Sequence, residues 1–320
     1  MDIHVCVRRR AKRTTVHKIK LGQLEMLIAA VDAGSFSAAA IELGCTQSRI
    51  SHAIAELEGC VGTRLLMRSR SGCIATDSGQ QVLARARQMV GLADSLIDLG
   101  RQDSDISGHV RIACFGSVGT HLLPYALEAL ARDYPGIRVD VDNGCINYQD
   151  VVDAVEQGTA DLGITRAEDD SHLVQYRLAH DAYVCVVPAS ARLSAPLTWQ
   201  KVADLPFIHA HTQGAQRILD LCRADGFKPR TSRKWATDSG VLAMVGRGMG
   251  FTISPQLATF PVPKNVKIMD LPFPAKRHIA LIAQAETARS KACKIVTRLI
   301  RDKRILKMTE AFRANVIGLD

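Results

Sequence analysis

From Leu21 to Val90 the apolar residues recur at helical spacing, interrupted at short intervals by small polar residues. Leu24 begins an apolar helix running to Val31, and Gly34 to Glu58 then reads as helix, tight turn, helix. Ser35 and Thr46 each stand just ahead of a helical run. There a side-chain hydroxyl accepts from N–H groups left free at a helix start. Gly44 suits the left-handed backbone that closes the first of the two helices. On the second, Ile50, Ala53, Ile54 and Leu57 fall at i, i+3, i+4 and i+7 and make one buried stripe. The opposite face carries Gln47, Ser48, Arg49, Ser51 and His52. Arg64 to Thr76 follow as two short strands around a glycine-containing turn, with Arg64, Arg68 and Arg70 along them. The chain then forms one long helix over about 77–102, on which Val82, Ala86, Met89, Ala93 and Leu96 alternate steps of four and three. Leu83, Val90 and Ile97 reinforce this short heptad seam. Gly100 to Gly108, rich in Asp and Ser, reads as a hinge.

From His109 the period changes. His109 to Phe115 is a strand, Leu122 to Tyr134 an amphipathic helix ended by Pro135-Gly136, and Ile137 to Val141 a second strand. Val151 to Gln157 is helical, and Asp161 to Ile164 returns to strand. This alternation predicts an α/β domain with a parallel sheet and helix-covered faces. Ligands of such sheets gather beyond the carboxyl ends of the strands.

The helix pair has a chemical reading. A major groove admits one α-helix, and residues near its N-terminus reach the base edges. Gln47 can pair bidentately with adenine, Arg49 with guanine, and Ser side chains meet phosphate. The strand pair would be a wing, its arginines bound to phosphate or inserted in the minor groove. Two copies joined through the long helix would set two reading helices on one duplex, as a pseudo-palindromic site requires. The net charge of +9 favours a polyanionic partner. Its distribution qualifies that: residues 1–20 hold seven basic residues against Asp2 alone, whereas 21–76 hold four arginines against five acids. Cations of the reading domain must therefore share one face, and the basic tail is expected to add phosphate contacts or merely to solubilise.

Residues 21–79 resemble the winged helix-turn-helix of LysR-type transcriptional regulators. The matching pieces are Gly34-Ser35-Phe36-Ser37-x-Ala39-Ala40, Thr46-Gln47-Ser48-x-Ile50-Ser51, Leu57-Glu58, Leu65-Leu66-x-Arg68 and Thr76-Asp77-Ser78-Gly79. Ser48 stands where the family often has proline, and Leu66 where phenylalanine is usual. Residues 108–310 resemble the effector domain of the same regulators, a miniature of a periplasmic binding protein. There the matches are Leu122-Leu123-Pro124, Tyr134-Pro135-x-Ile137, Gly158-x-Ala160-Asp161-Leu162-Gly163-Ile164, Val186-Val187-Pro188, Asp204 to Ile208 and Gly248-x-Gly250-Phe251-x-Ile253-Ser254-Pro255. The resemblance implies a DNA-binding domain (21–79), a linker helix and hinge (80–107), an effector-binding domain (108–310) and a C-terminal tail (311–320), with the basic tail (1–20) extending beyond where the family usually begins. It also implies two subdomains, 108–164 with 266–310 and 165–265, linked by crossings near Thr165 and Pro263. The partners implied are promoter DNA, a second copy of the chain in a dimer or tetramer, RNA polymerase and a small effector.

The effector pocket is expected between the subdomains. Gly116 and Ser117 head a helix, whose free N–H groups favour an anion. Cys145 follows the second strand, Thr165 and Arg166 sit at the first crossing, His209, His211 and Thr212 follow a later strand, and Asp238 opens a helix. Together they suggest a small anionic metabolite. His209-x-His211 could share a metal, but no third ligand lies near in sequence, so neither metal nor cofactor is expected.

Catalysis lacks a signature. Phe115 occupies the place of the first glycine in a G-x-S-x-G elbow, and no phosphate loop or dinucleotide fingerprint occurs. The alternative is a solute-binding or enzymatic α/β module with an accessory helical domain. No apolar run approaches the roughly 20 residues of a membrane span, and no signal-peptide core opens the chain. A cytoplasmic protein without a membrane partner is expected. Nine scattered cysteines, none in a C-x-x-C pair, fit reduced, buried thiols rather than a redox sensor.

Overall fold

The computed structural model describes residues 19–69, 72–98, 106–169, 171–210, 213–229, 233–235 and 237–320. The basic tail up to Lys18, Arg70 in the wing and most of the expected hinge lie outside the described residues. The chain divides into two units, the first ending at Val90 and the second beginning at Gly91.

The first unit holds α1 (Leu21–Asp32), α2 (Phe36–Glu42), α3 (Gln47–Val61), β1 (Leu66–Ser69), β2 (Gly72–Ala75) and most of α4 (Asp77–Asp98). Ser35 Oγ accepts from Ala38 N, and Thr46 Oγ1 from Arg49 N. Gly44 takes φ 59° between α2 and α3. Ile50, Ile54 and Leu57 are buried against Leu24, Leu27, Phe36 and Ala39. Each such side chain contributes about 1.5–3 kcal/mol of transfer free energy. Ala53 is only half-buried, at the margin of the stripe.

The wing is anchored at two points. Glu58 accepts from the backbone N–H of Leu65 at 2.7 Å and of Leu66 at 3.2 Å, tying α3 to β1. At the other end Thr76 Oγ1 donates to Arg64 O and accepts from Gly79 N, turning β2 into α4. A Cβ at Gly79 would stand 2.0 Å from Leu65 O, so the Thr76-x-x-Gly79 signature is a close-approach requirement.

The second unit is built on an eight-stranded sheet: β3 (Gly108–Phe115), β4 (Ile137–Cys145), β5 (Leu162–Arg166), β6 (Val174–Pro188), β9 (Thr252–Pro255), β10 (Val266–Asp270), β11 (Lys276–Ala283) and β12 (Ile317–Leu319). Its main path runs β10-β6-β11-β5-β3-β4, with β9 and β12 also paired to β6. β3 lies parallel to β4 and β5, whereas β6 and β11 run antiparallel, so the sheet is mixed rather than purely parallel. A small parallel pair, β7 (Ile208–Ala210) and β8 (Arg233–Trp235), completes the strands. The helices are α5 (Gly116–His121), α6 (Leu123–Asp133), α7 (Tyr148–Glu156), α8 (Trp199–Val202), α9 (Gln213–Ala224), α10 (Asp238–Gly246), α11 (Lys291–Arg301), α12 (Lys303–Met308) and α13 (Glu310–Arg313).

Three boundaries differ from the sequence expectation. The first crossing is not at Thr165. β5 stays in the first half's sheet, paired to β11, and the chain crosses inside β6. Residues up to Ala182 pair with β11, and Tyr183 to Pro188 pair with β9 and β10. A continuous strand carries no turn residue to mark such a point. The return likewise falls after Asp270, not near Pro263, because β10 pairs with the second half of β6. Residues 311–320 are not a tail. Ala311, Val316 and Ile317 are buried in the core, and β12 pairs with β6 from Ile317↔Asp181 to Leu319↔Ala179.

Candidate DNA-reading face and effector cavity

At the start of α3 the side chains of Gln47, Ser48 and Arg49 are exposed, as is His52 one turn on, while Ser51 is half-buried. Ser48 Oγ lies 3.1 Å from Thr46 Oγ1, so both hydroxyls are held at the cap. His52 Nδ1 approaches Glu56 at 3.4 Å, and Glu56 accepts from the buried Gln23 amide of α1 at 2.8 Å. Gln23 and Glu56 thereby brace the imidazole from behind, a role the sequence pattern did not reveal. Ser35 is half-buried and occupied as a cap. Arg64 is exposed beside the wing, and Arg68 lies on β1.

In the second unit a cavity of about 440 Å³ opens between the two halves of the sheet. Of the expected residues, Gly116, Ser117, Cys145 and Asp238 line it. Thr165 and Arg166 do not. They border a neighbouring hollow of about 240 Å³ with Tyr148 and Arg217. Thr165 is buried, donating to Tyr148 O, and Arg166 is ion-paired to Glu168. His209 is buried on β7 with its ring steeply inclined to that of Phe207, and His211 and Thr212 lie outside the described residues.

The cavity floor belongs to residues the sequence did not single out. Arg277 on β11 makes two 2.8 Å hydrogen bonds to Asp181 on β6, and both side chains are buried. Its guanidinium lies 4.7 Å from the Phe115 ring centroid and within 3.4 Å of Tyr148 OH. Burial works against the Arg277 charge, but Asp181 and the tyrosines outweigh it and hold the group firmly protonated. Asp238 is crowded by protein yet open to the cavity; desolvation pushes its carboxyl up, against a smaller downward pull from Arg277. His121, also lining the cavity, is shifted down, chiefly by burial. Ser117 Oγ is sealed from solvent with no hydrogen-bond partner among the described residues. The cavity thus offers hydroxyls, a carboxyl and aromatic faces, while its arginine is neutralised by Asp181. Of the features behind the anion expectation, Arg166 and His209 lie off this cavity, whereas the helix starts at Gly116 and Asp238 border it.

The described cysteines are free thiols. Burial pushes Cys114, Cys185, Cys222 and Cys293 up to about 12, which disfavours the reactive thiolate.

A winged helix-turn-helix followed by a two-lobed α/β ligand domain defines a ligand-responsive DNA-binding regulator. Residues 21–80 match the model of bacterial regulatory helix-turn-helix proteins of the lysR family, and residues 103–304 match the LysR substrate binding domain. A probable HTH-type transcriptional regulator, LrrA, from Synechococcus elongatus is 33% identical over 272 residues, covering 83% of this chain and 92% of its own. Among solved structures, full-length OxyR from Pseudomonas aeruginosa superposes with a TM-score of 0.74 at 16% identity, over 92% of this chain and 98% of that one. ArgP from Mycobacterium tuberculosis gives 0.66 at 22% identity, over 87% and 95%. The chain belongs to the LysR family of transcriptional regulators. It is a DNA-binding regulator rather than an enzyme, and no single helix among the described residues is long and apolar enough to cross a membrane.

Proposed function

We propose that the N-terminal turn of α3 reads base edges in the major groove of a pseudo-palindromic promoter site, with Gln47 and Arg49 as the principal contacts. Ser48, Ser51 and His52 flank them, Ser35 and Thr46 hold the helix starts at the phosphates, and Arg64, Arg68 and Arg70 bind backbone along the wing. The observation that carries this reading is the division of α3: Ile50, Ile54 and Leu57 fix one face in the core, while Gln47, Ser48 and Arg49 project unburied from the first turn. The chain acts in the cytoplasm, as a dimer or a tetramer of two dimers.

The effector is a small polar molecule held between the halves of the second unit. Gly116, Ser117, Cys145 and Asp238 border its site, with Thr165 and Arg166 at the neighbouring hollow. Arg277 is committed to Asp181, so Asp238 and the hydroxyls meet the effector's polar groups. Binding would bias the closure of the two halves and so the spacing and bending of the bound DNA.

The test is binding to the protein's own upstream DNA at fixed salt, for the wild type and for Gln47→Ala combined with Arg49→Ala. Loss of each good bidentate contact costs about 1–3 kcal/mol of discrimination, so selectivity over a scrambled duplex should collapse in the double variant. Equal, salt-sensitive, unselective binding by both proteins would remove α3 from the reading role.

A further inference from the structure

We infer that His180, His278 and Asp320 form a binding site for a divalent transition metal of the zinc type, separate from the effector cavity. The trio comes from three strands or their ends. His180 and His278 stand directly opposite each other on β6 and β11, and Asp320 follows β12, which pairs with β6 at Gly318↔His180. His180 Nδ1 lies 2.6 Å from Asp320 Oδ1, and His278 Nδ1 lies 2.9 Å from Oδ2. All three donor atoms fall within 4.8 Å of one another, and among the described residues no other trio of His, Cys, Asp and Glu converges in this way.

The placement is built in by backbone register rather than by flexible side chains meeting at a surface. Gly318 faces the His180 ring so closely that a Cβ there would stand 2.6 Å from its Cε1 and Nε2. The imidazole can occupy this position only over glycine. Asp320 is anchored by its backbone N–H to Leu178 O, and its side chain is 13% exposed.

The donor set selects the class of ion. Two imidazole nitrogens and one carboxylate oxygen suit zinc, cobalt, nickel or copper, whereas calcium and magnesium take oxygen ligands. Zinc bonds to nitrogen and oxygen run about 2.0–2.2 Å, which separates tetrahedral ligands by roughly 3.4 Å. The present N···O distances are shorter, so a small rotation of the Asp320 side chain makes room for the ion. The His180 and His278 side chains are 25% and 39% exposed, leaving an open side on which water completes the tetrahedron.

Successive residues of a strand face opposite sides of the sheet. One position from His180 and His278 stand Asp181 and Arg277, also paired in register, on the side of the effector cavity. An ion on the histidine side clamps β6, β11 and β12 behind the pair that floors that cavity. Metal occupancy is thereby placed to act as a second input on the same strands.

The test uses the untagged full-length protein, stripped with a chelator and titrated with zinc chloride and, separately, cobalt chloride. The wild type should bind one equivalent of each, melt at a higher temperature with zinc, and give a tetrahedral cobalt spectrum lacking thiolate charge-transfer bands. His180→Gln and His278→Gln should each weaken the site by more than the roughly 10–100-fold that loss of an outer partner costs. Cys45→Ser and Cys60→Ser should leave it unchanged. The absence of a saturable equivalent in the wild type would overturn the proposal. So would an equivalent that survives both histidine variants, or one that shows thiolate bands and disappears with a cysteine.

Discussion

Arg277 and Asp181 are the most consequential pair of side chains in the second unit. Both are buried, they share two hydrogen bonds, and Asp181 also accepts from Leu257 N at 2.9 Å. Such a pair is weak evidence of net stability, because desolvation offsets much of the attraction. Breaking it is another matter, since the remaining charge stays buried. Arg277→Met is expected to cost about 3–5 kcal/mol in chemical denaturation of the protein. Adding Asp181→Leu should recover most of that, short of the hydrogen bond lost by Leu257 N, about 1 kcal/mol. A double variant as unstable as the single one would mean that the charges organise the site through more than their mutual pairing. Nothing in the local sequence around either residue announces the pair, because they lie 96 positions apart and meet only when β6 and β11 align. The cavity residues that the sequence did mark, Gly116, Ser117, Cys145 and Asp238, stand at helix starts or a strand end, where local pattern and cavity coincide.

Elements were legible wherever a turn or cap marked them. Ser35, Gly44 and Thr46 bound the helix pair as their chemistry requires, and α6 runs from Leu123 to Asp133, with Pro124 in its first turn, close to the expected span. What escaped was the continuous strand. β6 carries fifteen residues across both halves of its sheet without a break, so no residue type signals the crossing. The short C-terminal β12 was lost for the opposite reason: three residues give no period to read. The wing junction offers a sharp check at this scale. Gly79→Ala would drive a Cβ onto Leu65 O, where a backbone carbonyl, not a flexible side-chain tip, must give way. Overpacking of this kind costs typically about 1–3 kcal/mol. The variant should melt earlier and bind DNA more weakly, with both effects absent in Gly59→Ala, whose Cβ would meet open space. Equal behaviour of the two glycines would show that β1 can withdraw from α4 freely.

The linker helix α4 divides its apolar residues between two environments. A single heptad seam from Val82 to Leu96 was the sequence expectation. Instead Leu83 and Ala86 are buried in the core of their own unit, with Val82 and Val90 packed beside them. Farther along, Met89, Leu92 and Leu96 are exposed at 51%, 48% and 69%, one row at i, i+3 and i+7. The proximal turns therefore complete the core of the first unit, and we propose that the distal row meets a second copy of the chain. Leu92→Glu with Leu96→Glu should halve the mass seen by light scattering, because two carboxylates would face their own copies across an apolar seam. Binding to a single half-site should persist, while binding to the full site should fall by roughly 10²–10⁴, the gain that linkage of two modules supplies. Leu83→Ala should behave in the converse way, losing about 2–5 kcal/mol of stability without changing the assembly. An unchanged mass for the glutamate pair would place the subunit contact elsewhere on the molecule and leave the distal turns of α4 as spacer alone.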